Sequence, residues 1–249
     1  MTALDNLLKS YRNGTALSCV TAYDASMAKY LETQGVNIVL VGDSLGQVIK
    51  GDKSTHNVSF EEIIYHAKCV TSGTKRATVM VDLPKNTYNT KLSAFKNSKK
   101  LLNNNLADLI KIEVNSDNLD IVEYLVQKDM PLCGHLGLLP QSVKNKTGFR
   151  KYGKTKREAS MIYNNAILLD KMGVKIILLE CVEDTLARRI TDTCNCPVIG
   201  IGSGYGLDGQ VAVIYDLLGI SFNKISSLTK KNEKVINKVI QAFLKKSRL

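Results

Sequence analysis

The chain contains no tryptophan and only five phenylalanines among its 249 residues. Stacking aromatics interleaved with basic residues, the signature of many RNA-binding modules, are therefore missing. No apolar run approaches the about 20 residues that a membrane-spanning helix needs. The first fifteen residues lack the basic start, apolar core and cleavage site of a secretory signal. These absences favour a soluble, cytoplasmic protein with neither a nucleic-acid nor a membrane partner.

The cysteines and the net charge further limit the classes of protein to which this sequence can belong. Three of the six cysteines lie inside or beside apolar runs, and the two at 194–196 have no second cysteine pair or nearby histidine in the sequence. They indicate reduced, unligated thiols rather than disulfides or a structural zinc site. The net charge of +11 comes from scattered lysines and would attract an anionic small molecule. An RNA-binding protein with salt-dependent affinity is the non-enzymatic alternative.

Short β-favouring runs alternate with amphipathic helical stretches along the chain. Ser59 and Glu62 form a capping-box signature at the start of one helix, and a last helix over 231–246 has an apolar stripe opposite its lysines. This alternation predicts an α/β fold, a (β/α)8 TIM barrel, as one domain over residues 1–249. An extra N-terminal helix would cover the bottom of the barrel, and little room is left for a helix between the last two strands. The predicted strands are 16–24, 37–43, 77–82, 108–113, 131–137, 175–180, 197–202 and 211–216.

Polar residues terminate five consecutive predicted strands, namely Asp43, Asp82, Glu113, His135 and Glu180. Active sites of (β/α)8 barrels lie at the C-terminal ends of the strands, so these side chains are expected to meet at one mouth. Lys111 lies two residues before Glu113, which sends both side chains to the same face. Converging carboxylates repel one another unless a cation neutralises them. Oxygen ligands without a thiolate favour Mg²⁺ over Zn²⁺.

Each of these residues also has a simpler structural interpretation. Asp43 with Ser44 is compatible with a helix cap, His135 with a buried core histidine and Lys111 with a side chain that reaches solvent. The glycines of "GIGSG" at 200–204 are compatible with a phosphate-binding loop, but a tight turn is favoured. The occurrence of five such residues at strand ends favours one shared site over five separate explanations.

The family resemblance rests on motifs in a fixed order: "TAYD" at 21–24, "VLVGDSLG" at 39–46, "VDLP" at 81–84, "KIE" at 111–113, "GHLGLLPQSV" at 134–143, "LLECV" at 178–182 and "GIGSGYGLDGQVAVIYDLLG" at 200–219. Together they resemble the ketopantoate hydroxymethyltransferase family. The resemblance implies a barrel of the phosphoenolpyruvate/pyruvate type that uses Mg²⁺. It implies hydroxymethyl transfer from 5,10-methylenetetrahydrofolate to 3-methyl-2-oxobutanoate, which gives 2-dehydropantoate through a magnesium-stabilised enolate. It also implies a homo-oligomer, with a decamer as the family's assembly.

The resemblance further implies roles for individual residues. The residues that match the magnesium-binding acids are Asp43, Asp82 and Glu113. The residues that match substrate-binding positions are Asp43, Ser44, Asp82, Lys111 and His135. Glu180 matches the proton acceptor, and its place after an apolar run suits a carboxyl with a raised pKa.

Departures from the family pattern lie in the loops at 50–57 and 145–156, so the folate contacts are not predicted. The enzymatic alternative is a magnesium-dependent C–C lyase or phosphomutase of the same barrel superfamily that acts on another 2-oxo acid.

Overall fold

A closed barrel of parallel strands forms the centre of the fold, and the strands follow one another in chain order. The computed structural model describes residues 1–143, 150–222 and 229–246. Each strand pairs with the next and the last pairs with the first, which confirms the predicted (β/α)8 barrel. The strands of the described residues are β1 Leu17–Thr21, β2 Ile38–Val41, β3 Thr78–Asp82, β4 Leu109–Glu113, β5 Leu132–Gly137, β6 Ile176–Glu180, β7 Val198–Ile201 and β8 Gly209–Ala212.

The strands are apolar on both faces because side chains fill the barrel and helices cover its outside. Every residue of β2, β3 and β4 is buried. In β4, Leu109 packs against the other apolar side chains inside the barrel, which we call the interior cluster. Ile110 and Ile112 pack on the outside of the barrel, against the surrounding helices. Because side chains alternate along a strand, Lys111 and Glu113 point inward above Leu109. The barrel interior therefore changes from apolar at the bottom to charged at the C-terminal mouth.

The helices bury one face against the barrel. Those of the described residues are α1 Ala3–Arg12, α2 Ala25–Thr33, α3 Leu45–Val48, α4 Phe60–Gly73, α5 Lys91–Asn103, α6 Leu119–Val126, α7 Lys156–Met172, α8 Asp184–Thr193, α9 Ile214–Leu218 and α10 Thr229–Lys246. Ser59 and Glu62 form the predicted capping box at the start of α4. None of the described helices combines the length and the apolar character that crossing a bilayer requires.

The predicted extra helix, α1, closes the bottom of the barrel. Leu4 and Leu7 pack in the interior cluster together with Leu17 of β1 and Ile38 of β2. A capping box between Thr2 and Asp5 begins this helix. The apolar end of the interior is thereby covered, and the charged residues lie at the opposite end.

The end of the barrel differs from the prediction in the bounds of its last strand and agrees with it in the segment before that strand. The bounds of the strand predicted over 211–216 are wrong, because β8 covers Gly209–Ala212 and α9 begins at Ile214. Gly209 permits this register because a Cβ there would lie 2.2 Å from the carbonyl oxygen of Leu17 in β1. Residues 202–208 contain no helix, in agreement with the little room left between β7 and β8.

The last helix, α10, begins two residues before the predicted range of 231–246. Val235, Val239 and Ile240 of its apolar stripe are each more than half exposed. The side chain of Phe243, also predicted in this stripe, lies outside the described residues, as does part of the divergent loop at 145–156.

Candidate active site

The residues predicted to form a site come together at the C-terminal mouth of the barrel. Strand pairing places Asp82 of β3 beside Lys111 of β4, and Glu113 of β4 beside His135 of β5. Glu180 ends β6, the next strand around the barrel. The alternation of side chains therefore brings ionisable groups from four neighbouring strands to one place.

Asp82 and Lys111 form a buried ion pair. Lys111 Nζ lies 2.8 Å from Asp82 Oδ2, with the two side chains 5% and 0% exposed. Burial raises the pKa of Asp82 to about 7, although the charge of Lys111 opposes this shift. Burial alone would lower the pKa of Lys111, but the carboxylates of Asp82, Asp43 and Glu113 raise it above its usual value. Lys111 therefore carries a positive charge at neutral pH.

Asp43 brings a second carboxylate next to this pair. It follows β2 directly, is buried, and donates its backbone N–H to Asp82 Oδ2 at 3.3 Å. Asp43 Oδ2 and Asp82 Oδ1 are both buried and have no hydrogen-bond partner in the described part of the chain. Leaving a buried carboxylate oxygen without a partner is costly. Two such oxygens on adjacent acids fit a hard divalent cation such as Mg²⁺.

Glu113, the third predicted metal ligand, is held differently. Its Oε1 accepts a hydrogen bond from the backbone N–H of Gln141 at 2.9 Å, and Oε2 lies 3.5 Å from Ser142 Oγ. Burial and the nearby charge of Asp43 raise the pKa of Glu113 well above its ordinary value. Over residues 1–143, 150–222 and 229–246, no group of three or more acidic, histidine or cysteine side chains is arranged to hold a metal ion directly. Coordination by all three acids stays a prediction.

Glu180 and His135 lie close to each other at the same mouth. His135 Nε2 is 3.3 Å from Glu180 Oε2, although neither ring nitrogen has a well-aligned hydrogen bond within the described residues. Burial raises the pKa of Glu180 to about 8, against the opposing charge of Lys111. Burial and Lys111 also hold the pKa of His135 well below its usual value, so its ring is neutral at pH 7. Because the pKa of Glu180 is raised towards neutral pH, its carboxyl group can act as a general base there.

Ser44 is oriented by an aromatic residue from the end of β1. Tyr23 Oη and Ser44 Oγ are 2.7 Å apart, and the Tyr23 side chain is buried. His66 of α4 donates from Nδ1 to the Tyr23 carbonyl oxygen at 2.6 Å. The Ser44 hydroxyl is therefore held at the mouth by a fixed neighbour.

Five of the predicted residues line a cavity of about 250 Å³ at this mouth. Asp82 and Glu113 are not among its lining residues, and Glu113 instead lines a neighbouring cavity together with Tyr88 and Gln141. Thr55 and Pro140 complete its rim from two loops. His56 Nε2 contacts the Pro140 carbonyl oxygen at 3.1 Å, so the divergent segment 50–57 meets the loop after β5 above the site. The predicted residues in the lining are Asp43, Ser44, Lys111, His135 and Glu180.

Three residues that support this site have no role predicted from the sequence. Tyr23 contacts Ser44, Gln141 contacts both Asp82 and Glu113, and Tyr88 contacts Gln141. Tyr23 and Gln141 belong to the quoted motifs "TAYD" and "GHLGLLPQSV", which is the signal that could have found them. Tyr88 lies in the loop after β3, where no local pattern marks it.

The fold defines the class of the protein as a closed (β/α)8 barrel with its candidate site at the C-terminal mouth. A phosphonopyruvate hydrolase solved with oxalate and Mg²⁺ has a TM-score of 0.68 and 9% identity, over 99% of this chain and 88% of that chain. A 2,3-dimethylmalate lyase, described as a member of the PEP mutase/isocitrate lyase superfamily, has a TM-score of 0.66 and 12% identity, over 100% and 85% of the two chains. At these identities the likeness concerns the fold.

Sequence comparison defines the family. The family described as ketopantoate hydroxymethyltransferase matches residues 1–247. A 3-methyl-2-oxobutanoate hydroxymethyltransferase of Aliivibrio fischeri (strain MJ11) is 42% identical over 228 residues, which are 92% of this chain and 86% of that protein. One of Nitrosococcus oceani is 39% identical over 244 residues, 97% and 92% of the two chains. The chain belongs to the ketopantoate hydroxymethyltransferase family, which confirms the prediction of a transferase enzyme.

Proposed function

We propose that the protein transfers a hydroxymethyl group from 5,10-methylenetetrahydrofolate to 3-methyl-2-oxobutanoate. The products are 2-dehydropantoate and tetrahydrofolate, with one water consumed, and the reaction is the first step of pantothenate and coenzyme A biosynthesis. The observation that carries this proposal is the cavity itself. Its lining brings together Asp43, whose Oδ2 has no partner among the described residues, the charged Lys111, and Glu180, a separate carboxyl group of raised pKa.

The acids of the mouth would hold a divalent cation, with Mg²⁺ favoured by their oxygen donors. Asp43 and Asp82 offer their unpartnered oxygens, and Glu113 is the predicted third acid. When bound, the cation withdraws electron density from the carboxylate and ketone oxygens of the keto acid, which makes the C3 hydrogen more acidic.

Lys111 and Ser44 would bind and orient the substrate carboxylate. The Lys111 ammonium group lies in the cavity wall, where it supplies positive charge next to the acids. The Ser44 hydroxyl can donate to a carboxylate oxygen while its own oxygen stays within 2.7 Å of Tyr23. This arrangement would orient a small anion with its carboxylate towards β2 and β4 and its carbon chain towards β6.

Glu180 would remove the C3 proton. It ends β6 on the cavity wall, and its raised pKa makes it basic enough to accept a proton from carbon when ionised. His135, neutral and 3.3 Å away, can donate a hydrogen bond to the ionised carboxylate without adding a positive charge. The resulting carbanion at C3 then attacks the one-carbon unit of the folate donor.

The sequence relationship favours this reaction over the lyase or phosphomutase alternative. The hydroxymethyltransferases match at 39–42% identity over most of the chain. The solved hydrolase and lyase match at 9–12% identity. Their similarity therefore supports a shared barrel and does not extend to a shared substrate.

Exchange of the C3 hydrogen tests the assignment of the base. The wild-type protein with Mg²⁺ and 3-methyl-2-oxobutanoate in D₂O should replace the C3 hydrogen by deuterium without folate, as followed by NMR. Glu180→Gln should slow the exchange by about 10²–10⁴-fold, the range for loss of a general base, while the keto acid still binds. Glu123→Gln, at an exposed position of α6, is the matched control and should exchange like the wild type.

Exchange at the wild-type rate in Glu180→Gln would refute the base assignment. A second assay, release of tetrahydrofolate dependent on the keto acid and a divalent ion, tests the donor. If the wild type exchanges the C3 hydrogen but releases no tetrahydrofolate, the one-carbon donor proposed here is wrong.

A further inference from the structure

Gln141 connects two of the candidate acids although no role has been assigned to it. It lies in the loop that follows β5, and the residue is 2% exposed. Its backbone N–H donates to Glu113 Oε1 at 2.9 Å. Its side-chain Nε2 lies 3.3 Å from Asp82 Oδ2 and 3.1 Å from the carbonyl oxygen of Leu83. One residue therefore touches the acids of both β3 and β4.

The orientation of the Gln141 amide is determined by its neighbours. The Leu83 carbonyl can only accept a hydrogen bond, so it must face the amide NH₂ group. This leaves Gln141 Oε1 to accept a hydrogen bond from the Tyr88 hydroxyl at 2.8 Å. Tyr88, Gln141 and Asp82 thus form a chain in which each donor faces an acceptor.

This chain acts on one particular oxygen of Asp82. Lys111 Nζ at 2.8 Å, the Asp43 N–H at 3.3 Å and Gln141 Nε2 at 3.3 Å all face Oδ2. Oδ1 has no partner among the residues described. Donors gathered on one oxygen hold the carboxylate in a single rotation, which keeps the other oxygen available to a cation.

We propose that Gln141 is a positioning residue that orients the Asp82 carboxylate for a divalent cation, with Tyr88 holding the Gln141 amide. The inference rests on the proposed function only for the presence of a cation site. Partners that hydrogen-bond to metal-ligating side chains typically contribute 10–100-fold to metal affinity. Gln141 should therefore change metal affinity without touching the metal.

The test measures metal affinity directly, without turnover. Mn²⁺ is titrated into the full-length protein without substrate, and free Mn²⁺ is followed by its EPR signal. Gln141→Met keeps the length of the side chain but removes its amide, and the Kd for Mn²⁺ should rise by about 10–100-fold. Tyr88→Phe keeps the ring and removes one hydroxyl, so the Kd should rise by a smaller factor in the same direction. Gln127→Met, at an exposed position after α6, is the control and should bind like the wild type.

Circular dichroism and thermal unfolding separate this role from a purely structural one. A structural role would lower the Tm of Gln141→Met and leave the Kd of the folded protein within twofold of the wild type, and that result overturns the proposal. If Gln141→Met does not fold, Tyr88→Phe decides, and an unchanged Kd in that variant overturns the proposal as well.

The outcome is distinguishable from failure of the proposed function. A wild type that binds Mn²⁺ but does not exchange the C3 hydrogen refutes the proposed function and leaves the role of Gln141 intact. A wild type that exchanges the hydrogen while Gln141→Met binds Mn²⁺ normally refutes the role of Gln141 alone. A wild type that binds no Mn²⁺ refutes the cation site and this inference with it.

Discussion

Replacement of Lys111 by methionine tests whether the buried charge pair organises the barrel mouth. Lys111 Nζ lies 2.8 Å from Asp82 Oδ2, and the two side chains are almost completely buried. Methionine keeps most of the apolar stem and removes the ammonium group. Asp82 is then left in the barrel interior beside Asp43 without its positive partner.

The expected loss of stability is large. Breaking a buried ion pair by removing one partner typically costs about 3–5 kcal/mol, because the other charge remains buried and uncompensated. For a domain of this size, each kcal/mol corresponds to a shift in Tm of about 2–4 °C. Lys111→Met should therefore lower the Tm by about 6–20 °C at a pH at which Asp82 is ionised.

The loss should increase with pH. Burial holds the pKa of Asp82 at about 7 in the wild type, and Lys111 opposes that shift, so its removal raises the pKa further. Between the two pKa values the folded variant keeps a proton that the folded wild type has released. Its free energy of unfolding then falls, relative to the wild type, by about 1.4 kcal/mol per pH unit. Between pH 7 and pH 8.5 the additional loss reaches about 2 kcal/mol.

Thermal and urea unfolding at pH 6 and pH 8.5, without divalent ions, would measure this effect. Lys91→Met is the matched control, because Lys91 and Asp120 also form a pair at 3.0 Å but are 48% and 60% exposed. An exposed pair contributes less than about 1 kcal/mol, so this variant should unfold almost like the wild type. The reasoning would be refuted if Lys111→Met lost no more free energy of unfolding than Lys91→Met. It would also be refuted if the loss in Lys111→Met were the same at both pH values.

Three further predictions concern metal, pH and packing. Asp82→Ala should raise the Mg²⁺ concentration needed for half-maximal C3 exchange by at least about tenfold, and an unchanged requirement would count against Asp82 as a ligand. The rate of C3 exchange by the wild type should rise with pH as Glu180 ionises. The midpoint should lie no higher than a pH of about 8, because a bound cation lowers the pKa of a nearby carboxyl group. A rate that falls as the pH is raised towards 8 would contradict the assignment of Glu180 as the base. Gly73→Ala should reduce the free energy of unfolding by about 1–3 kcal/mol, because its Cβ would lie 2.1 Å from the Ala25 carbonyl oxygen. An unchanged urea midpoint would show that the contact between α2 and α4 relaxes easily.

Most of the fold could be predicted because its signals are local. Apolar β-favouring runs located β1 to β7 within one or two residues at most boundaries, and Ser59 with Glu62 located the start of α4. The strand bounds at 211–216 were wrong because a short apolar run suits both a strand and a helix. Residues 211–216 are divided between β8 and α9, and this division depends on the close approach of Gly209 to β1. That approach is a contact across the closed barrel.

The positions of the candidate residues at strand ends could be predicted, but their connections could not. Polar residues at strand ends predicted one shared mouth, and the structure has Asp82 beside Lys111, Glu113 beside His135, and Asp43, His135 and Glu180 along one cavity. Their roles in a site stay a prediction. Which oxygen of Asp82 is occupied, and which is free, could not be predicted. That depends on loop residues such as Gln141, whose conformation is set by contacts with Leu83 and Tyr88 from another loop.

The sequence by itself determined which side chains of a strand share a face, because the two-residue period of a strand is a local property of the chain. Only the tertiary structure decided which of these side chains meet. Closure brings β8 beside β1, so that Ile214 donates its N–H to the Thr21 hydroxyl oxygen from 193 positions along the chain. It likewise gathers Lys111, Asp43 and Gln141 around one carboxylate oxygen. Contacts of this kind depend on the path of every intervening segment, and a local pattern does not contain that information.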